Sequence, residues 1–374
     1  MIGLLHALTS VRARSRPASR RLRGAWKTLV CVFEVFPVLP SWPVHLVTPR
    51  PAILRVRYRT SSGQVEADLY RPGGRGPHPG VVVCLGVVPF GVDHPQVPRL
   101  GQALARAGFA ALMHWSPAMR DFRLEPSDAD DIAAAYAALL ERPGIDAGRS
   151  GLLGTCVGGA FALLAAARPE VRDRVSFVLA YAAYGSMSTL ARDIASASTD
   201  RGMGRKPWEV DQLTRHVFVS TVTATLPPEE AARLRQGCAV RGTTPHLDGL
   251  SADGRAVLPL LCELRPAEAE AALRELPEAM RQRLDAMSPL THVGELRAPL
   301  VVLLHDRDDP VIPVGESRAL HSALEGRDRY TEFTVFKHLD PTRGKPKPIA
   351  LARELFRFAR AVQPVFEQSV ERRG

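Results

Sequence analysis

Short continuous apolar runs alternate with helical stretches along most of this chain, and that rhythm constrains its fold more than any other feature. The runs are residues 81–85 (Val-Val-Val-Cys-Leu), 109–114, 150–153, 175–182 and 299–305. Each is too short for a free-standing helix and lacks a polar face, as expected of a strand covered on both sides. Between them, residues 97–108, 127–140 and 157–167 carry helical patterns. The first stops at Gly108, a normal helix terminator. In the second, Ser127 is expected to cap a first turn holding Asp128, Asp130 and Asp131, and Ile132, Tyr136, Leu139 and Leu140 share one face. Strands joined through helices imply right-handed crossovers. The expected class is therefore α/β, with a mostly parallel, doubly wound sheet and helices on both faces. Upstream, residues 54–58 and 65–69 alternate with period two around Ser61-Ser62-Gly63, which predicts a hairpin of edge strands.

The rhythm breaks after Tyr184 and returns at 299–305, followed by a helix at 315–324, a strand at 331–337 and a closing helix at 348–361. Residues 187–294 between them look helical, including 228–236 and 266–287, with 217–222 readable as strand or helix. The expected organisation is an α/β core over residues 51–186 and 295–374, a helical lid inserted at 187–294, and a basic, partly apolar extension over residues 1–50.

Charge belongs mainly to that extension. Of a net +10, residues 1–50 contribute +7, from seven arginines and one lysine against Glu34. The body is nearly balanced, which argues against nucleic acid as a partner of the folded domain. Glu34, Pro37, Pro40, Pro43 and His45 spoil the apolar stretch after Trp26 as a membrane span, and as a signal sequence it is interrupted by Glu34 and Pro37 with no A-x-A site after it. Packing on the body, contact with an anionic membrane surface, and export stand as three readings of residues 1–50. A cytoplasmic chain, with or without peripheral membrane contact, is the expectation. Five cysteines without a CxxC pair support neither a disulfide scaffold nor a zinc site. No motif calls for a cofactor.

The sharpest chemical signal is Gly154-Thr155-Cys156-Val157-Gly158-Gly159, between an apolar run and a helix. It has the form of a nucleophile elbow, with cysteine where serine is commoner. A side chain thrust out at such a turn needs a strained backbone and very small neighbours. The positive end of the following helix also favours an anion there. A tight packing turn with an inert cysteine is the competing reading. Two further features favour chemistry. The run 299–305 leads into Asp306-Arg307-Asp308-Asp309-Pro310, placing carboxylates at a strand end, and His338 follows the strand expected at 331–337. Nucleophile, acid and base in that order suit a hydrolase on this kind of sheet. Asp306 and Asp308 compete with Asp309 for the acid; the residue directly before the proline fits best.

On these motifs the chain resembles the α/β-hydrolase superfamily, and its cysteine elbow resembles the dienelactone hydrolase branch. The likeness covers residues 52–184 and 288–361. It implies Cys156 as nucleophile, Asp309 as orienting acid, His338 as base, and an oxyanion hole at the N–H groups of Val157 and Val87. A lid of this size and the N-terminal extension depart from compact members of that branch, so a dienelactone substrate is not implied. The expected substrate is a small ester, lactone or thioester, cleaved through an acyl-cysteine. Acyl transfer on the same triad and a non-catalytic scaffold docking through the basic arm are the alternatives. His94, His114 and Trp115 are further candidates for touching substrate. His305 is expected to be a packed structural histidine, and Cys84 an inert strand residue.

Overall fold

The computed structural model describes all residues except 1, 75, 90, 92, 201–203, 240–248, 339–346 and 371–374, and the side chains of 2–18, 238 and 239. The described residues form ten strands: β1 (Ala52–Thr60), β2 (Gly63–Arg71), β3 (His78–Cys84), β4 (Ala110–His114), β5 (Ile145–Thr155), β6 (Phe177–Tyr181), β7 (Ser198–Asp200), β8 (Arg205–Pro207), β9 (Val301–Asp306) and β10 (Asp328–Phe333). Eight form one sheet in the order β1-β2-β4-β3-β5-β6-β9-β10. β1 and β2 are an antiparallel hairpin, β2 also runs antiparallel to β4, and the remaining pairs are parallel. Burial follows from position. β4, β6 and β9 are buried throughout, whereas β1 alternates exposed and buried residues at the edge, as its period-two sequence requires.

Two apolar layers sandwich the sheet. On one face, helices Ser127–Leu140 and Val157–Ala166 bury Ile132, Tyr136, Leu139, Phe161 and Leu164. On the other, helices Gln96–Arg106 and Pro348–Phe366 pack with the end of the long N-terminal helix Ile2–Val35. Cys31, Val32 and Phe36 are buried there. The Phe36 ring lies 5.4 Å from that of Phe336 and 5.3 Å from that of Phe358. Arg20 Nε donates to Glu367 O at 3.1 Å and Lys27 Nζ to Ser369 O at 2.8 Å, joining the two ends of the chain. The part of the extension from Arg20 to Phe36 therefore packs on the body. Among the described residues no helix is long and apolar enough to cross a membrane.

The inserted segment holds helices Met187–Ala195, Gln212–Val222, Pro228–Ala239, Ala252–Leu261, Pro266–Glu275 and Glu278–Ala286, plus the β7–β8 hairpin. Several sequence expectations change here and nearby. Residues 217–222 are helical: Asp211 caps the first turn by accepting from Leu213 N at 2.9 Å, and Thr221 and Thr223 hydroxyls donate back to Val217 and Val219 carbonyls. Residues 266–287 form two helices, with Leu276 and Pro277 extended between them. The β7–β8 hairpin is too short to leave a readable alternation. Ser127 is the first helical residue rather than the cap; Asp128 instead turns its carboxylate back to Glu125 N at 2.9 Å. The last strand ends at Phe333, not residue 337. Beyond it carboxylates replace the ladder partners: Thr334 N donates to Glu354 Oε2 and Lys337 N to Asp306 Oδ2, both at 3.0 Å.

Candidate active site

Three connections at the carboxyl ends of neighbouring parallel strands converge on one place: β5 leads to Cys156, β9 to Asp309 and β10 to His338. Cys156 sits at φ 55° and ψ −135° directly before helix Val157–Ala166. That conformation is rarely adopted by a residue with a side chain, and the neighbours explain how it is held. A Cβ on Gly154 would lie 2.2 Å from Gly158 O, and one on Gly158 would lie 2.3 Å from Cys84 O. Backbone passes where any side chain would stand, so the glycines are obligatory. Cys156 N donates to Tyr181 O at 2.8 Å, and Thr155 Oγ1 donates to Leu85 O at 3.1 Å, anchoring the turn to both neighbouring strand ends.

Asp309 is buried and fully engaged. Its Oδ1 accepts from Val311 N at 2.8 Å and Ile312 N at 3.0 Å, while Oδ2 lies 2.7 Å from His338 Nδ1. Burial works against its charge, but His338, then His305 and the backbone donors, outweigh it and hold the carboxyl below its ordinary range. The competing carboxylates are placed elsewhere. Asp308 is half exposed, 3.8 Å from Lys337 Nζ, and Asp306 fixes the loop by accepting from Asp308 N and Lys337 N. His338 stands at φ 61°, after Lys337 at φ 41°. Its Nδ1 is bonded to Asp309, and Cys156 is near enough to influence the ring's charge. Burial disfavours charge on the ring, yet Cys156 and then Asp309 more than compensate and raise it well above the usual histidine range.

Cys156 and His338 open onto a cavity of about 460 Å³. Its walls come from the core (Val87, Leu124, Val311, Ile312) and from the inserted segment (Met187, Leu190, Val217, Phe218). Asp211, Gln212, Thr214, Thr221 and Lys337 are its polar neighbours besides Cys156 and His338. Val157 and Val87 both border it, and their N–H groups have no acceptor among the described residues. Gly86, at φ +75°, lets the strand-end loop approach the elbow: a Cβ there would lie 2.9 Å from Gly158 N.

The other candidates are not brought to this cavity. His114 is buried in the sheet with Nδ1 2.8 Å from Tyr58 OH, and burial pulls its pKa down to about 4. Trp115 borders a different depression with Arg55 and Asp68. His94 lies in the loop before helix Gln96–Arg106 and receives Gln96 N at 3.4 Å. His305 packs as expected, between Ser317 Oγ at 2.6 Å and Ile312 O at 2.9 Å. Cys84 is buried, which pushes its thiol upward, and no cluster that could hold a metal occurs among the described residues. Sequence reasoning missed the cavity residues of the inserted segment, since Leu190 or Phe218 differs in no local way from any other core-facing helical residue.

No protein-family model matches the chain, and no curated protein matches it in sequence. Solved structures do match. An acylaminoacyl peptidase bound to Z-Gly-Gly-Phe-chloromethyl ketone superposes with a TM-score of 0.54 at 15% identity, over 89% of this chain and 44% of its own. This chain thus spans less than half of that peptidase. DcsB in complex with its substrate analogue gives 0.51 at 16% identity, over 85% of this chain and 100% of its own. The 2,6-dihydroxy-pseudo-oxynicotine hydrolase gives 0.52 at 14%, over 86% and 69%. Together with the strand order and the strand-end site, these likenesses show that the chain has the α/β-hydrolase fold.

Proposed function

We propose that this chain is a carboxylic ester hydrolase that cleaves an ester, lactone or thioester through an acyl-cysteine, with Cys156, His338 and Asp309 as its triad. The observation that carries this reading is His338, bonded to Asp309, standing with Cys156 at the wall of one apolar cavity. That fold neighbours include a peptidase and a hydrolase supports hydrolysis in general. The cysteine in the elbow is what links the chain to the dienelactone hydrolase branch.

In this mechanism His338, whose raised proton affinity favours the charged ring, takes the thiol proton before sulfur attacks the carbonyl carbon, and Asp309 keeps Nδ1 protonated so that Nε2 is the accepting atom. The N–H groups of Val157 and Val87 receive the oxyanion, each worth about 3–4 kcal/mol of barrier. Collapse expels the alcohol or thiol with the proton from His338 and leaves acyl-Cys156. Water, deprotonated by His338, then attacks the acyl carbon and releases the acid. The thiolate is itself a good leaving group, which suits activated esters, thioesters and lactones better than amides. Leucine, valine, methionine and phenylalanine walls suit an apolar acyl group. In this reading the segment 187–294 acts as a lid. The test is Cys156→Ala assayed on p-nitrophenyl and thioester substrates, together with iodoacetamide labelling of the wild type at pH 6. Loss of turnover with intact folding, and labelling slowed by His338→Ala, are expected. Turnover retained in Cys156→Ala would overturn the mechanism.

A further inference from the structure

Leu22, Trp26 and Leu29 are 73%, 52% and 45% exposed on the N-terminal helix. At i, i+4 and i+7 they form one stripe, opposite the side that buries Thr28, Cys31 and Val32. The helix thus has two apolar sides, one occupied by the body and one facing out. The outward stripe does not end at the helix edge. Leu29 and Phe356, which is 67% exposed, line the same groove between this helix and helix Pro348–Phe366, and Ile349, 86% exposed, lies two turns before Phe356.

The charge around this groove is mainly positive, three arginines against one glutamate. Arg21, Arg329 and Arg360 line it and make no ion pair among the described residues. The acid in the groove, Glu367, is hydrogen-bonded by Gln363. The same helix carries Arg12, Arg14, Arg16, Arg20, Arg23 and Lys27 in sequence. A tryptophan and leucines ringed by unpaired arginines match a surface that is anionic outside and apolar a few ångströms deeper.

We propose that this face docks the protein on an anionic lipid bilayer, with Trp26, Leu22, Leu29 and Phe356 inserted among acyl chains and the arginines at the headgroups. It lies apart from the cavity holding Cys156, and it stands whether or not the hydrolase reading holds. The test uses the full chain and vesicles of phosphatidylcholine with or without about 30% phosphatidylserine. Expected are sedimentation with the anionic vesicles only, release by high salt, and about hundredfold weaker partitioning when Arg21, Arg329 and Arg360 are all replaced by glutamine. Trp26→Ser with Phe356→Ser, at exposed positions that leave the fold intact by circular dichroism, should also release it. No sedimentation at any phosphatidylserine fraction, or equal binding to neutral vesicles, would overturn the proposal. So would a dimer in light scattering that Trp26→Ser dissociates, since the face would then be covered by a second copy.

Discussion

Replacing Asp309 by asparagine removes a charge and almost no volume, and the surroundings dictate what the new amide does. Its carbonyl must stay on the N–H groups of Val311 and Ile312, now 2.8 Å and 3.0 Å from Oδ1. The reversed orientation would set an NH2 group against two buried donors and strand both, at about 1–3 kcal/mol each. The amide nitrogen therefore faces His338 Nδ1, where the carboxylate oxygen stands at 2.7 Å. It donates, and the neutral ring is forced to carry its proton on Nε2, towards Cys156. A nitrogen already protonated cannot take the thiol proton. The substitution also removes one of the two groups that raise His338. In serine-protease triads the same change costs about 10⁴ in kcat. A cysteine gives up its proton more readily than a serine, so the expected loss here is about 10³ in kcat/KM, close to 4 kcal/mol. The assay is ester hydrolysis from pH 6 to pH 9, with thermal unfolding as the control. Activity within tenfold of wild type at every pH, in a folded variant, would refute this account of Asp309.

Two further outcomes concern stability. Burial holds His114 at about 4 in the folded chain, below the ordinary histidine value, so the unfolded chain binds a proton first as pH falls. This residue therefore costs stability progressively from about pH 6.5 down to pH 4. In His114→Gln the urea midpoint should fall less over that interval than in wild type; parallel curves would contradict the buried neutral ring. Phe36→Ala should cost about 3–4 kcal/mol by urea denaturation, because Phe36 is buried against Phe336 and Phe358. A cost below about 1 kcal/mol would mean that the N-terminal helix is not part of the core.

The sheet was legible because a strand buried on both faces has little choice of residues, and β3, β4, β5, β6 and β9 are of that kind. Of the proposed triad, Cys156 and Asp309 follow such strands, with two glycines and a proline marking their turns, whereas His338 follows the less buried edge strand β10. What escaped was decided by partners distant in sequence. Residues 334–337 leave the sheet because Glu354 and Asp306 offer their backbone N–H groups carboxylates, and neither acid is marked for that role locally. His114 ends a strand on the same edge as the site, yet its direction is set by Tyr58, 56 residues earlier. The cavity walls depended on how the inserted helices fold over the elbow, which no local pattern encodes.

The bonds from Arg20 and Lys27 to Glu367 and Ser369 span 347 and 342 residues. A chain made from its amino end produces helix Ile2–Val35 long before its partner helix Pro348–Phe366. Until residues 348–366 are made, the apolar side with Cys31, Val32 and Phe36 lacks the partners Leu355, Val362 and Phe366. Completion of this fold thus waits on residues 348–366. His338, two residues from the Phe336 ring that Phe36 supports, acquires its final support in that same closing step.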